Sequence, residues 1–221
     1  MMPVRRRGAY LRLCIASAFV LLGLTASACT APEPSEADPY TFDAAKSAVD
    51  VDTPALRQQK QSADIAACPR SKTEATPVDG GLPDLTLPCL GGGRDVHLAG
   101  LRGTPVVLNL WAQYCGPCRE EAPLFQRLHE EAADDLLVLG LDWQDTNPGK
   151  ALAFADELGL TYPQTADPEA VTRAPLRVSA LPMTVLIDSD GVIVDAETRV
   201  ITTYDDLTQL VQRELGVQVS G

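Results

Sequence analysis

Apolar and polar residues follow distinct patterns along this chain, and the organised part of the pattern begins near Val78. Residues 82–87 and 95–98 alternate apolar and polar side chains around three consecutive glycines, which predicts a β-hairpin. Residues 106–111 and 136–141 are nearly continuous apolar runs, a pattern typical of strands that are covered on both faces. These runs therefore predict two buried strands of a sheet, preceded by a hairpin.

The sequence also predicts four helices, two of which carry apolar residues at helical spacing. They cover residues 116–133, 148–158, 203–215 and, for a short fourth helix, 167–172. Residues 183–187 and 192–197 predict a second hairpin across an Asp-Ser-Asp-Gly turn. Strands alternate with helices first, and a hairpin comes last. We therefore expect an α/β fold with a mixed central sheet and helices on both faces.

The first 28 residues have the features of a secretory signal peptide. Four arginines precede or begin an apolar stretch, residues 13–26, which is shorter than an ordinary membrane-spanning helix. Small residues at positions 26–28 then form a cleavage site. We expect residues 1–28 to be a signal peptide, and an uncleaved short membrane anchor is the alternative.

Cys29 follows these small residues directly, and Ala-Ser-Ala-Cys resembles the lipidation motif of bacterial lipoproteins, although Ala26 replaces the usual leucine. Lipidation would anchor the chain to the outer face of the cell membrane. Cleavage that leaves a free N-terminal cysteine, and so a secreted protein, is the alternative. Residues 29–77 are rich in Pro, Ala, Ser and charged residues, which predicts a disordered tether with at most a marginal helix at 55–67. The folded domain then covers residues 78–221.

Charge narrows the range of partners. The 221 residues contain 18 Lys and Arg against 30 Asp and Glu, for a formal net charge of −12. Nucleic acid is not an expected partner, because phosphate binding requires a basic surface. Electrostatic docking on an anionic membrane is disfavoured for the same reason.

Six cysteines are present, of which Cys14 lies in the signal segment and Cys29 in the lipidation motif. The sharpest motif is Cys-Gly-Pro-Cys at positions 115–118, because it follows a buried strand and opens a helix. Free backbone amides and the positive end of the helix dipole favour the Cys115 thiolate, the form that attacks disulfides. Cys118 can then attack the mixed disulfide and release the substrate.

Other interpretations of this motif are weaker. Zinc would require Cys68 and Cys89 as further ligands, and these lie 21 residues apart outside the strand–helix unit. A purely structural disulfide would close too small a loop to remove much unfolded-state entropy. The Pro-x-x-x-Thr-x-x-Cys arrangement of thiol peroxidases is absent, since Leu108 and Ala112 occupy the Pro and Thr positions before Cys115. No metal site or cofactor is expected.

The stretch Asn-Leu-Trp-Ala-Gln-Tyr-Cys-Gly-Pro-Cys-Arg-Glu-Glu-Ala-Pro at positions 109–123 resembles the active-site segment of thioredoxin-like proteins. It is most similar to the membrane-tethered, extracytoplasmic branch often called TlpA-like, which includes the cytochrome c maturation thioredoxins. The resemblance runs from about residue 82 to residue 215. It implies a thioredoxin-like fold with an N-terminal hairpin extension, and protein substrates that contain thiols or disulfides.

The same resemblance assigns further residues to the site. Leu181-Pro182 is similar to the family's cis-proline segment, in which Pro182 would face Cys115 and the backbone of Leu181 would pair with an extended substrate. Substrate contact is also implied for Gly116, Pro117 and Tyr114. The residue at the last of these positions is commonly Trp in the family, so we expect an altered partner preference.

The family often carries a carboxylate near the buried cysteine as a proton acceptor. Asp142 and Asp145 follow the second buried strand and are the candidates, although either could be a solvated loop residue. Cys68 and Cys89 remain as an even pair in an oxidising compartment. We expect them to form a structural disulfide at the start of the domain, and a second redox pair is the alternative.

These observations predict an extracytoplasmic thiol–disulfide oxidoreductase, acting as a reductase that a membrane electron donor resets. Gly-Pro is the dipeptide of thioredoxin, which is strongly reducing at about −270 mV. Apocytochrome c is a plausible substrate by resemblance. The alternatives are an oxidase or isomerase of secreted proteins, and a binding module that kept the fold without catalysis.

Overall fold

The computed structural model of this protein describes residues 49–219 and contains a five-stranded mixed sheet, a separate two-stranded hairpin and four α-helices. The strands are β1 Thr86–Leu87, β2 Val96–His97, β3 Val106–Trp111, β4 Leu137–Trp143, β5 Gln164–Asp167, β6 Met183–Ile187 and β7 Ile193–Glu197. The α-helices are α1 Pro54–Ser62, α2 Gly116–Ala132, α3 Pro148–Glu157 and α4 Tyr204–Leu215.

The five strands of the large sheet lie in the order β5-β4-β3-β6-β7. Strand β3 is parallel to β4, and β4 is parallel to β5, whereas β6 is antiparallel to both β3 and β7. The predicted mixed sheet, the predicted final hairpin β6–β7 and the short N-terminal hairpin β1–β2 are thus confirmed. Every residue of β3 is buried, as its continuous apolar run predicts.

Two core clusters lie on opposite faces of this sheet, because successive side chains of a strand point to opposite faces. Val107 and Trp111 of β3 belong to the first cluster, and all four helices contribute residues to it. Leu108 and Leu110 belong to the second cluster, which the β1–β2 hairpin and a turn segment containing Leu176 cover.

The short helix expected at 167–172 is absent, and hydrogen-bonded turns occupy this part of the second face. The Asp167 carboxylate accepts hydrogen bonds from the backbone amides of Val171 and Thr172 and from the Thr172 hydroxyl. A side chain that bonds nearby amides offers the backbone an alternative to the helical ladder. The prediction was therefore wrong because turn chemistry outweighed helix propensity.

Residues 49–77 differ from the expected tether, because they pack on the domain. Thr53 caps α1 by accepting a hydrogen bond from the Leu56 amide, and Leu56 and Ile65 lie in the first core cluster. The Gln59 side chain donates to a backbone carbonyl at the start of α3 at 2.8 Å. The composition of this segment cannot support a core of its own, but the folded domain supplies the apolar surface that it lacks.

The signal peptide expected at 1–28, the lipidated Cys29 and the first part of the tether lie outside the described residues. Within residues 49–219, the helices are too short or too polar for any of them to span a bilayer.

Pro123 lies inside α2, which continues as one helix to Ala132.

Candidate active site

Cys115 and Cys118 lie at the start of α2, immediately beyond the end of the central strand β3. Cys115 is the N-cap residue of the helix, and its sulfur accepts a hydrogen bond from the backbone amide of Cys118 at 3.2 Å. The two residues form a disulfide, so the structure represents the oxidised state of the pair. A sulfur at this position faces the unpaired amides of the first helical turn, which stabilise a thiolate.

The two cysteines differ in their access to solvent. Cys115 is partly exposed, whereas Cys118 is only 1% exposed and belongs to the first core cluster. A substrate can therefore reach the first sulfur and not the second. This asymmetry suits a reaction in which one cysteine attacks and the other resolves.

An exposed surface surrounds the accessible sulfur. Tyr114 is 59% exposed, and its hydroxyl donates to the carbonyl oxygen of Gln144 at 3.3 Å. Gly116 and Pro117 are also exposed, and a Cβ atom at position 116 would meet no atom within 4 Å beyond its chain neighbours and the adjacent helix backbone. The predicted substrate-contacting residues before and within the motif thus form one open surface.

The Leu181–Pro182 peptide bond is cis. The next residue, Met183, pairs with Leu110 in the register of β6 on β3. This register places Pro182 at the end of the sheet where strand β3 finishes and the loop to Cys115 begins. The structure therefore brings the predicted proline segment to the same end of the sheet as the cysteine pair.

Glu121 is a buried acid that our sequence reasoning missed. It is 1% exposed, and it accepts hydrogen bonds from the Asn109 amide group at 3.0 Å and from the Ile201 backbone at 3.1 Å. Burial raises the pKa of Glu121 to about 7, although both hydrogen bonds act in the opposite direction. Its spacing of three residues from Cys118 places both on one face of α2 and could have revealed it.

Asp142 and Asp145 differ sharply in their surroundings. Asp142 is buried at the end of β4, and neither of its carboxylate oxygens has a hydrogen-bond partner. Burial, and then the charges of Asp145 and Asp167, raise the pKa of Asp142 well above its usual value. Asp145 instead accepts hydrogen bonds from the backbone amides of Gln113 and Asn147, so it supports the loop beside the motif.

Arg119, the first cation after the motif, is turned toward α3. Its guanidinium lies 2.9 Å from Glu157 and 4.7 Å from the centre of the Phe154 ring. The phenyl ring in turn stacks on Trp111 at 4.8 Å between ring centres. The positive charge of Arg119 is therefore engaged by an acid and an aromatic ring on the neighbouring helix.

The other two predicted cysteines lie at a different place in the fold. Cys68 and Cys89 form a disulfide, and each is 1% exposed. Cys89 forms a β-bridge with Thr165 of strand β5, which is at the opposite edge of the sheet from β7. The two cysteine pairs thus form separate disulfides. No cluster of three or more potential metal-binding side chains occurs among residues 49–219.

The site combines an accessible cysteine at a helix start, a buried partner cysteine and a cis proline at the same end of the sheet. These features define a thioredoxin-like thiol–disulfide oxidoreductase. The chain belongs to the AhpC/TSA family, whose sequence model matches residues 78–196. The match covers the sheet and the cysteine motif, and it excludes the N-terminal segment that carries α1.

Individual relatives agree with this assignment. The chain is 34% identical over 122 residues to the thioredoxin-like protein YneN of Bacillus subtilis, covering 54% of this chain and 71% of the relative. It is 33% identical over 138 residues to the thiol-disulfide oxidoreductase ResA of Geobacillus thermodenitrificans, covering 60% and 77%. The crystal structure of a secreted thiol-disulfide isomerase from Corynebacterium glutamicum superposes with a TM-score of 0.54 at 27% identity, covering 69% of this chain and 96% of that one.

Proposed function

We propose that this protein is an extracytoplasmic disulfide reductase in which Cys115 attacks the substrate and Cys118 resolves the mixed disulfide. The observation that carries this proposal is the unequal exposure of the two sulfurs at the N-terminus of α2. Protein substrates with disulfides are the class that an open surface around a single accessible sulfur can accept.

The reaction conserves atoms and electrons in two exchanges. The Cys115 thiolate attacks one sulfur of the substrate disulfide, the substrate S–S bond breaks, and the other substrate sulfur leaves as a thiolate. Cys118 then loses its proton and attacks Cys115, which releases the second substrate sulfur and forms the Cys115–Cys118 disulfide. The substrate gains two electrons, and the enzyme must be reset by a donor of two electrons.

The second exchange requires a base near a buried thiol, and we assign that role to Glu121. Its pKa of about 7 lies close to neutral pH, where a general base is most effective. It lies on the same face of α2 as Cys118, three residues further along. Asp142 remains the second candidate for this role, whereas the hydrogen bonds of Asp145 to two backbone amides favour a role in the loop.

The weak stabilisation of the reduced form supports the proposed direction of electron flow. Gly116 and Pro117 carry no basic side chain that could bond the Cys115 thiolate, and Arg119 is engaged by Glu157. A thiolate that only the helix terminus stabilises gives up its electrons more readily. This argument favours a reductase over an oxidase or isomerase, which would use the same residues in reverse.

Substrate binding would use the surface around the motif. An extended peptide could pair with the backbone of Leu181 beside the cis Pro182, and its side chains could contact Tyr114, Gly116 and Pro117. Apocytochrome c is one substrate that fits this proposal through the sequence resemblance. A non-catalytic binding module is less well supported, because it would not require one accessible and one buried cysteine.

The cellular location rests on the N-terminal sequence. A signal peptide over residues 1–28 and lipidation of Cys29 would hold the domain at the outer face of the cell membrane, close to a membrane electron donor. Metabolic labelling with a fatty acid tests the anchor, since the Cys29→Ser variant should lose both the label and membrane association. Label retained in that variant would contradict lipidation at this residue.

Reduction of insulin disulfides by dithiothreitol tests the activity. The wild-type chain should accelerate precipitation of the insulin B chain, and the Cys115→Ser variant should not. Equilibration with glutathione buffers then tests the direction. A midpoint close to about −270 mV supports a reductase, and one near about −120 mV would replace it with an oxidase.

A further inference from the structure

Lys60 is a lysine of α1 whose ammonium group lies against the second disulfide. Its Nζ donates to Cys89 Sγ at 2.9 Å and to the Gly92 carbonyl oxygen at 3.0 Å. Lys60 is 7% exposed, and no carboxylate among residues 49–219 forms an ion pair with it. A cation is therefore buried against two neutral acceptors. Burial lowers the pKa of Lys60, and the charge of Asp52, which lies beyond ion-pair distance, only partly opposes this shift. A thiolate at Cys89 would place a negative charge in direct contact with the ammonium group.

Close packing holds the lysine in this position. Gly91 has a positive φ of 71°, and a Cβ atom there would lie 2.8 Å from the Lys60 Cβ. The Gly91 amide also donates to the Val51 carbonyl at 2.9 Å. The glycine turn after Cys89 thus allows α1 to approach the disulfide closely enough for the lysine to reach the sulfur.

The other sulfur has a complementary neighbour. Cys68 Sγ lies 3.2 Å from the carbonyl oxygen of Gln164, which could accept a hydrogen bond from a thiol. A disulfide sulfur has no proton to donate and is only a weak acceptor for the ammonium group. The Gln164 carbonyl and the Lys60 ammonium group would therefore interact more strongly with the reduced pair than with the disulfide. In that reduced pair, Cys68 is a thiol and Cys89 is a thiolate.

We propose that Cys68–Cys89 is a second thiol–disulfide centre, reduced by a dithiol, in which Lys60 stabilises Cys89 as a thiolate. The dithiol attacks Cys68 Sγ, the Cys68–Cys89 bond breaks, and Cys89 leaves as a thiolate beside the ammonium group. The second thiol of the reductant then attacks the mixed disulfide and releases Cys68, which takes up a proton. Two electrons and one proton enter the protein, and the second proton of the dithiol passes to solvent.

Among the charged groups around this centre, the Lys60 ammonium group is the cation closest to the Cys89 sulfur. Asp52, from the segment before α1, is bonded to Arg57, which lowers the pKa of that carboxyl. Asp95, from the hairpin, has a raised pKa through burial and the charge of Asp52, although the Cys89 amide partly opposes this shift. On the side of β5 the neighbours are neutral, and Arg94 donates to the Cys68 carbonyl rather than to a sulfur.

This centre is separate from the active site. Cys89 bridges to β5, and two further strand spacings of about 4.8 Å separate β5 from β3, which leads to Cys115. Both sulfurs are buried, so exchange requires local opening of the segment that carries α1. The reductant is therefore an external dithiol, and the exchange is slower than exchange at Cys115.

The test measures how many protons accompany reduction. The full-length chain is equilibrated in dithiothreitol buffers between pH 6 and pH 8, free thiols are alkylated, and mass spectrometry reads each cysteine peptide separately. With one proton per two electrons, the midpoint potential of Cys68–Cys89 should fall by about 30 mV per pH unit. Dithiothreitol takes up two protons per two electrons over this pH range, so the equilibrium constant of the exchange with it should change about tenfold per pH unit. In Lys60→Met, two protons should enter, so the midpoint potential should fall by about 60 mV per pH unit. The equilibrium constant of the exchange with dithiothreitol should then not depend on pH.

The lysine variants should also differ in the equilibrium itself. At pH 8, Lys60→Met should make this disulfide at least tenfold harder to reduce, whereas Lys60→Arg should retain the one-proton dependence. Lys150→Met, at an exposed lysine of α3, should behave like the wild type. If Lys60→Met does not fold, the comparison of wild type with Lys60→Arg and Lys60→Gln provides the same contrast.

Two results would overturn the proposal. One is a two-proton dependence in the wild-type chain, and the other is reduction of Cys68–Cys89 only together with loss of the far-UV circular dichroism signal. The Cys115–Cys118 peptide in the same digest reports the potential of the active site independently. A Cys115–Cys118 potential that contradicts the reductase proposal would therefore be seen in that peptide. It would not change the result for Cys68–Cys89.

Discussion

The two disulfides of this chain lie in environments that differ in exposure and in the source of positive potential. Cys115 is partly exposed and obtains its stabilisation from the amides of a helix N-terminus. Cys89 is buried and lies 2.9 Å from the ammonium group of Lys60. The first arrangement suits rapid exchange with large substrates, and the second suits slow exchange in which a thiolate forms in a closed site.

The acids near each pair extend this comparison. Glu121, with a pKa raised to about 7 by burial, lies on the same helix face as the buried Cys118, and we propose that it accepts the proton of that thiol. Beside the second pair, Asp52 is held by Arg57 and has a lowered pKa. A base is therefore available where turnover requires one, and a fixed cation is available where only a thiolate must be stabilised.

The largest effect is expected from the two active-site cysteines. Cys115→Ser should reduce insulin reduction to the uncatalysed background, because no accessible sulfur remains to attack. Cys118→Ser should trap substrate as a mixed disulfide, visible as a covalent adduct on non-reducing gels. Release of substrate from Cys118→Ser at the wild-type rate would show that the two roles are assigned wrongly.

Replacing the buried base should have the next largest effect. Wild-type turnover should fall as pH decreases through about 7, because the Glu121 carboxylate becomes protonated. Glu121→Gln should lower turnover by about a hundredfold at pH 8 and remove that inflection. Glu120→Gln, at the exposed neighbouring position, is the matched control and should retain the wild-type pH profile. An unchanged inflection in Glu121→Gln would transfer the role to another group, with Asp142 as the first to test.

Opposite effects on stability should separate the two aspartates. In the folded protein the pKa of Asp142 is raised, so the native state takes up a proton and the free energy of unfolding decreases as pH rises through that range. Asp142→Asn should therefore stabilise the protein at pH 7 by about 1–3 kcal/mol in urea unfolding. Asp145→Asn should destabilise it, because two backbone amides lose a charged acceptor. Destabilisation by both substitutions would show that Asp142 has partners when the protein is in solution.

The smallest effect is expected at the exposed surface. Tyr114→Ala should lower kcat/KM for a protein substrate by no more than about fivefold, since truncation of most contact residues costs less than about 1 kcal/mol. Tyr114→Phe should lie closer to wild type, because it keeps the ring and loses only the hydrogen bond to Gln144. A small model disulfide should be reduced equally by all three proteins. Equal losses on the small and the protein substrate would indicate that the tyrosine acts on the sulfur itself.

Local signals in the sequence were sufficient for the strand–helix unit that carries the cysteine motif. The apolar run at 106–111 predicted a buried strand, and the position of Cys115 before a helix predicted its place at the N-cap. These features depend on residues that are neighbours in the chain, and their propensities agree with the final fold. The family resemblance added the cis Pro182, which no local pattern could have distinguished from an ordinary strand-start proline.

Only the tertiary structure decided what depends on contacts between distant segments. Composition predicted a disordered tether over 29–77, yet the domain supplies the surface on which Leu56 packs. Glu121 and Glu120 are identical neighbours in sequence, and the helix face alone decides that the first is buried and the second exposed. Lys60 and Cys89 lie 29 residues apart, so their contact exists only because the chain packs α1 against the glycine turn. Helical spacing can assign Glu121 to the face of Cys118, but only packing against distant parts of the chain desolvates these side chains and so changes their chemistry.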